Sequence, residues 1–347
     1  MRIQRSGRES KAASGAAALV LAGGVLLAKE LLKRRRRYDL RDKTVVITGG
    51  SRGLGLVLAR EFGKRGARLA ICARDREELD RAVEDLRSRG FEAHAFQCDL
   101  TDQQRVETML NEVRQRFGDI DVLVNNAGTI AVGPIDSVTL DDYRESLDIH
   151  LWGPVYTTMA VLPDMRRRGH GRVVNISSIG GKISVPHLVP YSVGKFALAG
   201  FSEGLHAEIL KDGVHVTTVY PGLMRTGSPR NATFKGKHRA EYAWFSVSDA
   251  LPLLSISAER AARAIVSACE KGRARLILST PAKAAVKMNE VFPETMSSLL
   301  SLASRLLPGP GGIGKEKALG RESFSPVSPS VLTLLDERAA RNNNQVA

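Results

Sequence analysis

Lys43-Thr44-Val45-Val46-Ile47-Thr48-Gly49-Gly50-Ser51-Arg52-Gly53-Leu54-Gly55 is the stretch that decides the fold. A short β-branched run breaks at glycines, and the helix-forming residues Leu56 to Phe62 follow. A buried strand that turns on glycine and restarts as a helix is the opening of a βαβ unit. Lacking Cβ atoms, Gly49, Gly53 and Gly55 let the chain turn tightly. They also let a pyrophosphate approach the free N–H groups and positive end of the helix dipole. Gly49, Ser51, Arg52, Gly53, Leu54 and Gly55 are therefore candidate contacts for a dinucleotide.

The same alternation continues outward. Apolar runs rich in Val and Ile recur as RLAIC, AHAFQC, DVLVN, RVVNIS, HVTTVY and RLILS, separated by amphipathic helical stretches. With TVVIT these make seven strands, and strands alternating with helices specify a parallel sheet covered on both faces. The predicted fold class is α/β: a doubly wound Rossmann fold with a seven-stranded parallel sheet in a single domain. The sequence divides into a basic N-terminal segment (1–38), a catalytic domain (39–285), and a C-terminal helical extension whose polar end, through NNNQVA, reads as a disordered tail (286–347).

The chain of 347 residues has a net charge of +14, which raises the question of nucleic acid. Residues 1–38 carry ten Lys or Arg against two Glu, so most of the excess sits at one end and the remainder is only mildly basic. No nucleic-acid partner is expected. Within the basic segment, residues 12–28 form an uncharged run, AASGAAALVLAGGVLLA, followed by the cations Lys33 to Arg37. A 17-residue helix reaches roughly 25 Å, slightly less than the ~30 Å of a bilayer core. The run reads as a membrane anchor, spanning or interfacial, with the flanking cations holding the catalytic domain on the cytoplasmic side. A leucine-rich stretch, Met296 to Leu307, offers a second membrane contact or packs on its own domain. Cys72, Cys98 and Cys269 lack metal-ligand spacing and read as buried reduced thiols; no metal is expected.

The second strand chooses between cofactors. Selection of NAD calls for a carboxylate near its end to bind the ribose hydroxyls. Ala73 stands there, followed by Arg74, and Arg52 can reach the same region. Two guanidiniums suit a 2′-phosphate, which makes NADP(H) the expected cofactor. Asp75 is adjacent but comes late for the ribose.

Tyr191 and Lys195, in YSVGK, are four residues apart in a predicted helix and share a face. A phenol near pKa 10 exchanges protons poorly at neutral pH, and a neighbouring ammonium lowers that value. Ser178 follows the strand VVNIS at the carboxyl edge of the sheet, where its hydroxyl can orient a reacting oxygen.

Together these features resemble the short-chain dehydrogenase/reductase family, over roughly residues 41–280. The resemblance rests on TGGSRGLG, on Asn125-Asn126-Ala127-Gly128, on Ser178, on YSVGK, and on Pro221-Gly222 with Thr226. It implies a branch performing simple carbonyl and alcohol redox, with Tyr191 as acid, Ser178 orienting the substrate and Lys195 tuning the phenol and holding the nicotinamide ribose. It further implies cofactor contacts at Asp99, Leu100, Asn126, Ala127, Gly128, Pro221, Gly222 and Thr226, and assembly as dimers or tetramers. One position departs from the family pattern: His150, in LDIHLWGP, stands where an Asn usually contributes to a proton relay. A histidine there could relay protons itself. The substrate is a small molecule, and Phe234, Tyr242, Trp244 and Phe245 point to a lipophilic one if they line a pocket instead of packing the lid. The rival reading is a membrane-tethered NADPH-binding sensor or scaffold without turnover.

Overall fold

The computed structural model describes residues 37–346 apart from residue 253. The proposed anchor at 12–28 lies outside the described residues. Seven parallel strands form the central sheet: β1 (Thr44–Thr48), β2 (Arg68–Ala73), β3 (Ala93–Gln97), β4 (Val122–Asn125), β5 (Gly171–Ile176), β6 (Val214–Tyr220) and β7 (Arg275–Ile277). Their spatial order is β7-β6-β5-β4-β1-β2-β3. All seven sequence-derived strands are present, and the order reverses between β1 and β4. That reversal leaves a crevice at the carboxyl ends of the strands, the position where open α/β sheets bind ligands.

Alternation along β1 distributes the core. Val45 and Ile47 face one side with α1 (Gly53–Gly63), α2 (Arg76–Ser88) and a later helix, Ala258–Glu270. Val46 faces the other, with α3 (Gln103–Phe117), α5 (Gly153–Arg168) and α6 (Val189–Ile209). A period of two in a parallel strand buried on both sides explains why the run is continuously apolar. Between β4 and α5 lie α4 (Leu140–Leu147) and a π-helical turn at Asp148–Trp152. The lid helix α7 (His238–Ala250) precedes α8 (Ala258–Glu270), and α9 (Thr280–Val291) and α10 (Pro293–Ser304) complete the helical extension.

Polar side chains fasten α5 and α6 to the middle of the sheet. Asn125 Nδ2 donates to Asn175 Oδ1 at 2.8 Å, and Thr157 Oγ1 donates to Asn125 Oδ1 at 2.7 Å. Asn175 Nδ2 donates to Ser202 Oγ at 2.9 Å, and the Ser202 hydroxyl meets that of Thr218 at 2.6 Å. A closed buried network of this kind fixes a helix in register, because any slip strands a polar group without water.

Two expectations change. The polar end of the chain is ordered: residues Leu334–Asn342 form a helix, α11, and Asn343 to Gln345 hydrogen-bond to the main domain. Polarity there marks partners elsewhere in the fold. The Met296–Leu307 stretch divides its faces, with Met296 packed beside Ile183, Val286 and Leu300, while Leu302 and Leu306 are exposed. Among the described residues, no helix is long and apolar enough to cross a membrane. The three cysteines are free and buried.

Replacing Asn175 by Ala leaves Ser202 and Asn125 each short of a buried partner. Urea unfolding is expected to show a loss of about 1–3 kcal/mol; a loss under about 0.5 kcal/mol would mean the network adds no rigidity.

Candidate active site

The glycine turn is held from three directions. A Cβ at Gly55 would lie 1.9 Å from the Gly49 carbonyl oxygen, so no other residue allows this approach of helix to turn. Asn126 Nδ2 donates to the carbonyl oxygens of Thr48 at 3.0 Å and Gly49 at 3.1 Å. Thr48 Oγ1 in turn accepts from the backbone N–H groups of Asn126 and Ala127. Asn126 thus locks the end of β1 to the end of β4 across the crevice.

The ribose region is more mixed in charge than two arginines alone would make it. Arg74 is exposed beside Asp99, whose carboxyl is held low by hydrogen bonds from Thr101 and by the charges of Arg74 and Arg105 against its own burial. Arg52, however, forms a 2.5 Å ion pair with Glu78, which also accepts from Ser51 Oγ at 3.0 Å. Asp75 accepts from the Glu78 backbone N–H as the N-cap of α2, which occupies it structurally. Glu78 is the residue that sequence reading missed. It sits one helical turn after the cap, where a Glu is ordinary, and only folding shows that it faces the glycine turn.

Tyr191 and Lys195 share one face of α6, as their spacing requires. Lys195 is 4% exposed, and its ammonium donates to the Ile176 carbonyl at 2.9 Å and lies 5.7 Å from the Tyr191 ring centre. Ser177 turns away from the cleft and donates to the Lys195 carbonyl. Ser178 faces the cleft: its Oγ accepts from the Gly180 N–H at 3.0 Å, and a Cβ at Gly180 would lie 3.4 Å from that Oγ and 3.1 Å from the Tyr191 ring, which places the two side chains side by side. Burial dominates the titration of both. It pushes the Tyr191 phenol up to about 12, against the smaller opposing effect of Ser178, and pushes the Lys195 ammonium down to about 7. Enclosure thus favours the neutral form of each group.

His150 is placed by the π-turn against Tyr191, ring edge to face at 5.4 Å between centres. Gly194, the glycine of YSVGK, makes room for it: a Cβ there would lie 2.6 Å from Ser146 Oγ and 2.9 Å from His150 Nδ1. Hydrogen bonding fixes the ring's protonation. Ser146 gives its only proton to the Pro190 carbonyl at 2.7 Å, so it must accept from His150 Nδ1, 3.1 Å away. Nε2 is then free to accept the Thr129 N–H at 3.3 Å. Burial first, and the charge of Lys195 second, hold the ring neutral well below the usual histidine range. With both nitrogens engaged inside the protein, the imidazole acts as a clamp between α4, α6 and the NNAG loop, and not as the proton carrier its pKa near neutrality suggested.

Over the cleft, Phe234, Tyr242 and Phe245 are buried against one another, so these three pack the lid. Trp244 is only partly covered and joins Ile130, Val185 and Tyr191 at the edge of the same cluster. Its indole N–H and His187 Nδ1 both meet the fully buried Glu241 carboxylate, at 2.6 Å and 2.8 Å. Pro221 accepts from the Ile179 N–H at 2.7 Å, fixing the loop that runs through Gly222 to buried Thr226. Asp249 on α7 has its carboxyl raised well above the usual range by burial and by the neighbouring Asp336.

A serine, a tyrosine and a lysine converge at the carboxyl edge of the sheet, beside the glycine turn. The family model for short chain dehydrogenase matches residues 43–235. The chain belongs to the short-chain dehydrogenase family. It is 34% identical over 278 residues to the bovine dehydrogenase/reductase SDR family member 7B, covering 78% of this chain and 84% of that one. An actinorhodin polyketide ketoreductase variant solved with NADPH matches at 30% identity and a TM-score of 0.62, covering 69% of this chain and 97% of that one. A gluconate 5-dehydrogenase from Burkholderia cenocepacia, solved with NADP and tartrate, matches at 27% identity and a TM-score of 0.62, covering 72% and 98%.

Two outcomes follow from this dehydrogenase site. Because His150 stays neutral, His150→Asn is expected to retain activity within about tenfold, and its pH–rate profile between pH 5.5 and 8 should superimpose on that of the parent. A limb near 6.5 that disappears in the variant would restore the relay. Lys195 has a folded pKa of about 7 against an ordinary value of 10.5, so the unfolded chain binds more protons between those limits and stability rises with pH across that window. Lys195→Met removes the cost of a buried charge. Thermal melts should show it more stable than the parent at pH 6–7, with the difference shrinking towards pH 10, while turnover falls at every pH.

Proposed function

We propose that this dehydrogenase is an NADP(H)-dependent oxidoreductase that interconverts a carbonyl and a secondary alcohol, with Tyr191 as the proton-transferring group. The observation that carries the reading is the convergence of Ser178 and Tyr191, side by side across Gly180, above the buried Lys195. A binding-only sensor has no chemical use for that arrangement.

The residues present fit a dinucleotide. Gly49, Gly53, Leu54 and Gly55 shape the turn for its pyrophosphate, and Ser51 with Arg52 flanks it. Arg74 and Asp99 stand at the adenosine end with Leu100, and Asn126, Ala127 and Gly128 line the middle. Pro221, Gly222 and Thr226 would face the nicotinamide end, with Lys195 on its ribose. When bound, the nicotinamide supplies or accepts the hydride. Tyr191 gives its proton to the substrate oxygen during reduction and takes it back during oxidation, at the hydroxyl that Ser178 positions. The absence of a carboxylate at Ala73 and the exposed Arg74 favour the 2′-phosphate. The Glu78 pair on Arg52 tempers that preference, because the phosphate must compete with a carboxylate for the same guanidinium.

Ile130, Val185 and Trp244 give the cleft beside Tyr191 an apolar wall, which suits a lipophilic alcohol or ketone. With the uncharged run at 12–28, this supports a membrane-associated enzyme whose catalytic domain lies in the cytoplasm. Exposed Trp152, Met159, Val193 and Phe196 on α5, α6 and the π-turn support pairing of copies through those helices.

NADPH oxidation against a panel of aldehydes, ketosteroids and quinones tests the chemistry. Tyr191→Phe should lower kcat by at least about 100-fold while leaving NADPH affinity within a few fold, since general acid catalysis contributes about 10²–10⁴. Undiminished turnover would remove Tyr191 from the mechanism. Arg74→Ala should weaken NADPH about tenfold or more and leave NADH unchanged; equal losses for both would show that the arginine does not read the phosphate.

A further inference from the structure

The two loops that would grip a dinucleotide are bridged by one segment from the far end of the chain. After a helical extension, Ala318–Leu319 pairs antiparallel with Thr233–Phe234 and returns the chain to the lid. From there α11 crosses the loop after Gly222. Asp336 Oδ1 accepts the Gly227 N–H at 2.9 Å. Glu337 pairs with Arg230, and Ala340 packs so closely that a Cβ at Gly227 would lie 2.3 Å from its Cα.

Three residues later the same segment reaches the glycine turn. The Gly53 N–H donates to the Asn343 carbonyl at 2.8 Å. Asn344 Nδ2 donates to the carbonyls of Ser51 at 2.9 Å and Glu78 at 3.0 Å. The Gln345 amide lies 2.6 Å from where a Cβ of Gly53 would stand, and it is held there by Asn231 Nδ2, 2.6 Å from Gln345 Oε1. Arg60 secures the approach through the Asn342 carbonyl at 2.9 Å and Asn343 Oδ1 at 3.1 Å.

Gly53 opens α1 and has no side-chain cap to serve it. Its N–H is the kind of helix-terminal donor that holds a phosphate oxygen. Here a carbonyl oxygen of the chain takes that donor, and a glutamine side chain takes the space above it. We propose that residues 334–345 form an autoinhibitory strap, which occupies the pyrophosphate seat and must leave before a dinucleotide can bind. The inference rests on the dinucleotide reading above and adds a regulatory step to it. A strap closed in 90–99% of molecules weakens apparent affinity about 10- to 100-fold, since only the open fraction binds.

Hydrogen–deuterium exchange on the full chain, with and without saturating NADPH, tests this directly. Amides of 334–346 should exchange faster with NADPH present. Slower exchange, or no change, would overturn displacement, the former by showing that the segment closes over the dinucleotide. Titration of full-length Ala340→Glu, which puts a charge into the strap's buried contact, should show NADPH binding at least tenfold tighter than the parent. Equal affinity in parent and variant overturns the strap and leaves the dinucleotide reading standing. Binding of neither NADPH nor NADH to either form overturns both. If the variant fails to fold by circular dichroism, the exchange experiment on the parent chain decides alone.

Discussion

The ammonium of Lys195 against the carbonyl of Ile176, sealed beneath α6, is the contact around which this structure is organised. Holding a lysine at 4% exposure is unfavourable, and a chain selected only for stability would place an apolar residue there. Several costly features serve this one placement. α6 must lie close to the sheet edge, so Gly181 and Gly194 stand where a Cβ would collide with the Lys195 backbone on one side and with Ser146 and His150 on the other. The Asn125–Asn175–Ser202 network fixes the helix lengthwise. Ser177 ties the Lys195 carbonyl to the end of β5. The result is a phenol and an amine both biased towards neutrality by enclosure, a state in which the phenol retains the proton it would donate.

Position in the sheet explains why the remaining groups converge. The ends of β1, β4, β5 and β6 contribute Thr48, Asn126, Ser178 and Pro221 from four segments far apart in sequence. They meet because parallel strands all present their carboxyl ends to one edge, and the reversal between β1 and β4 opens a gap there. Asn126 bridges the gap by donating to both Thr48 and Gly49. An apolar residue at 126 would leave those two carbonyls with one fewer donor and the glycine turn less constrained.

What could be read from residues alone followed from periodicity and short spacing. The seven strands were legible because each is a compact apolar run between turn signals, and Tyr191 with Lys195 because four residues on a helix is a fixed geometry. Partners remote in sequence were not legible. Glu78 reads as an ordinary helix-start acid until the β2–α2 turn places it under Arg52 and Ser51. His150 has the intrinsic pKa of a relay, but the ring's role depended on Ser146 having already given its proton to Pro190. The polar end of the chain invited disorder because composition measures the apolar surface a segment can bury, not the donors and acceptors waiting for it elsewhere. Arg60, Arg81 and Asn231 are those partners, each more than a hundred residues away.

The character of that docking bears on how it can act. Val331, Leu332 and Leu334, where α11 begins, are 88%, 58% and 63% exposed, so the segment brings little apolar surface to the domain. Its attachment is mainly hydrogen bonds and one ion pair, and such contacts contribute about 0.5–1.5 kcal/mol each once exchange with water is counted. Several of them suffice to hold a strap closed, but not to make its release resemble unfolding. The sheet core beneath does not share these contacts and would keep its packing when the strap lifts. An element that masks a binding site needs this separation, because a local opening free energy well below that of global unfolding lets a ligand shift the balance at ordinary concentrations. Were the same segment anchored by buried leucines, opening would cost too much for a dinucleotide to offset, and the glycine turn would be closed for good.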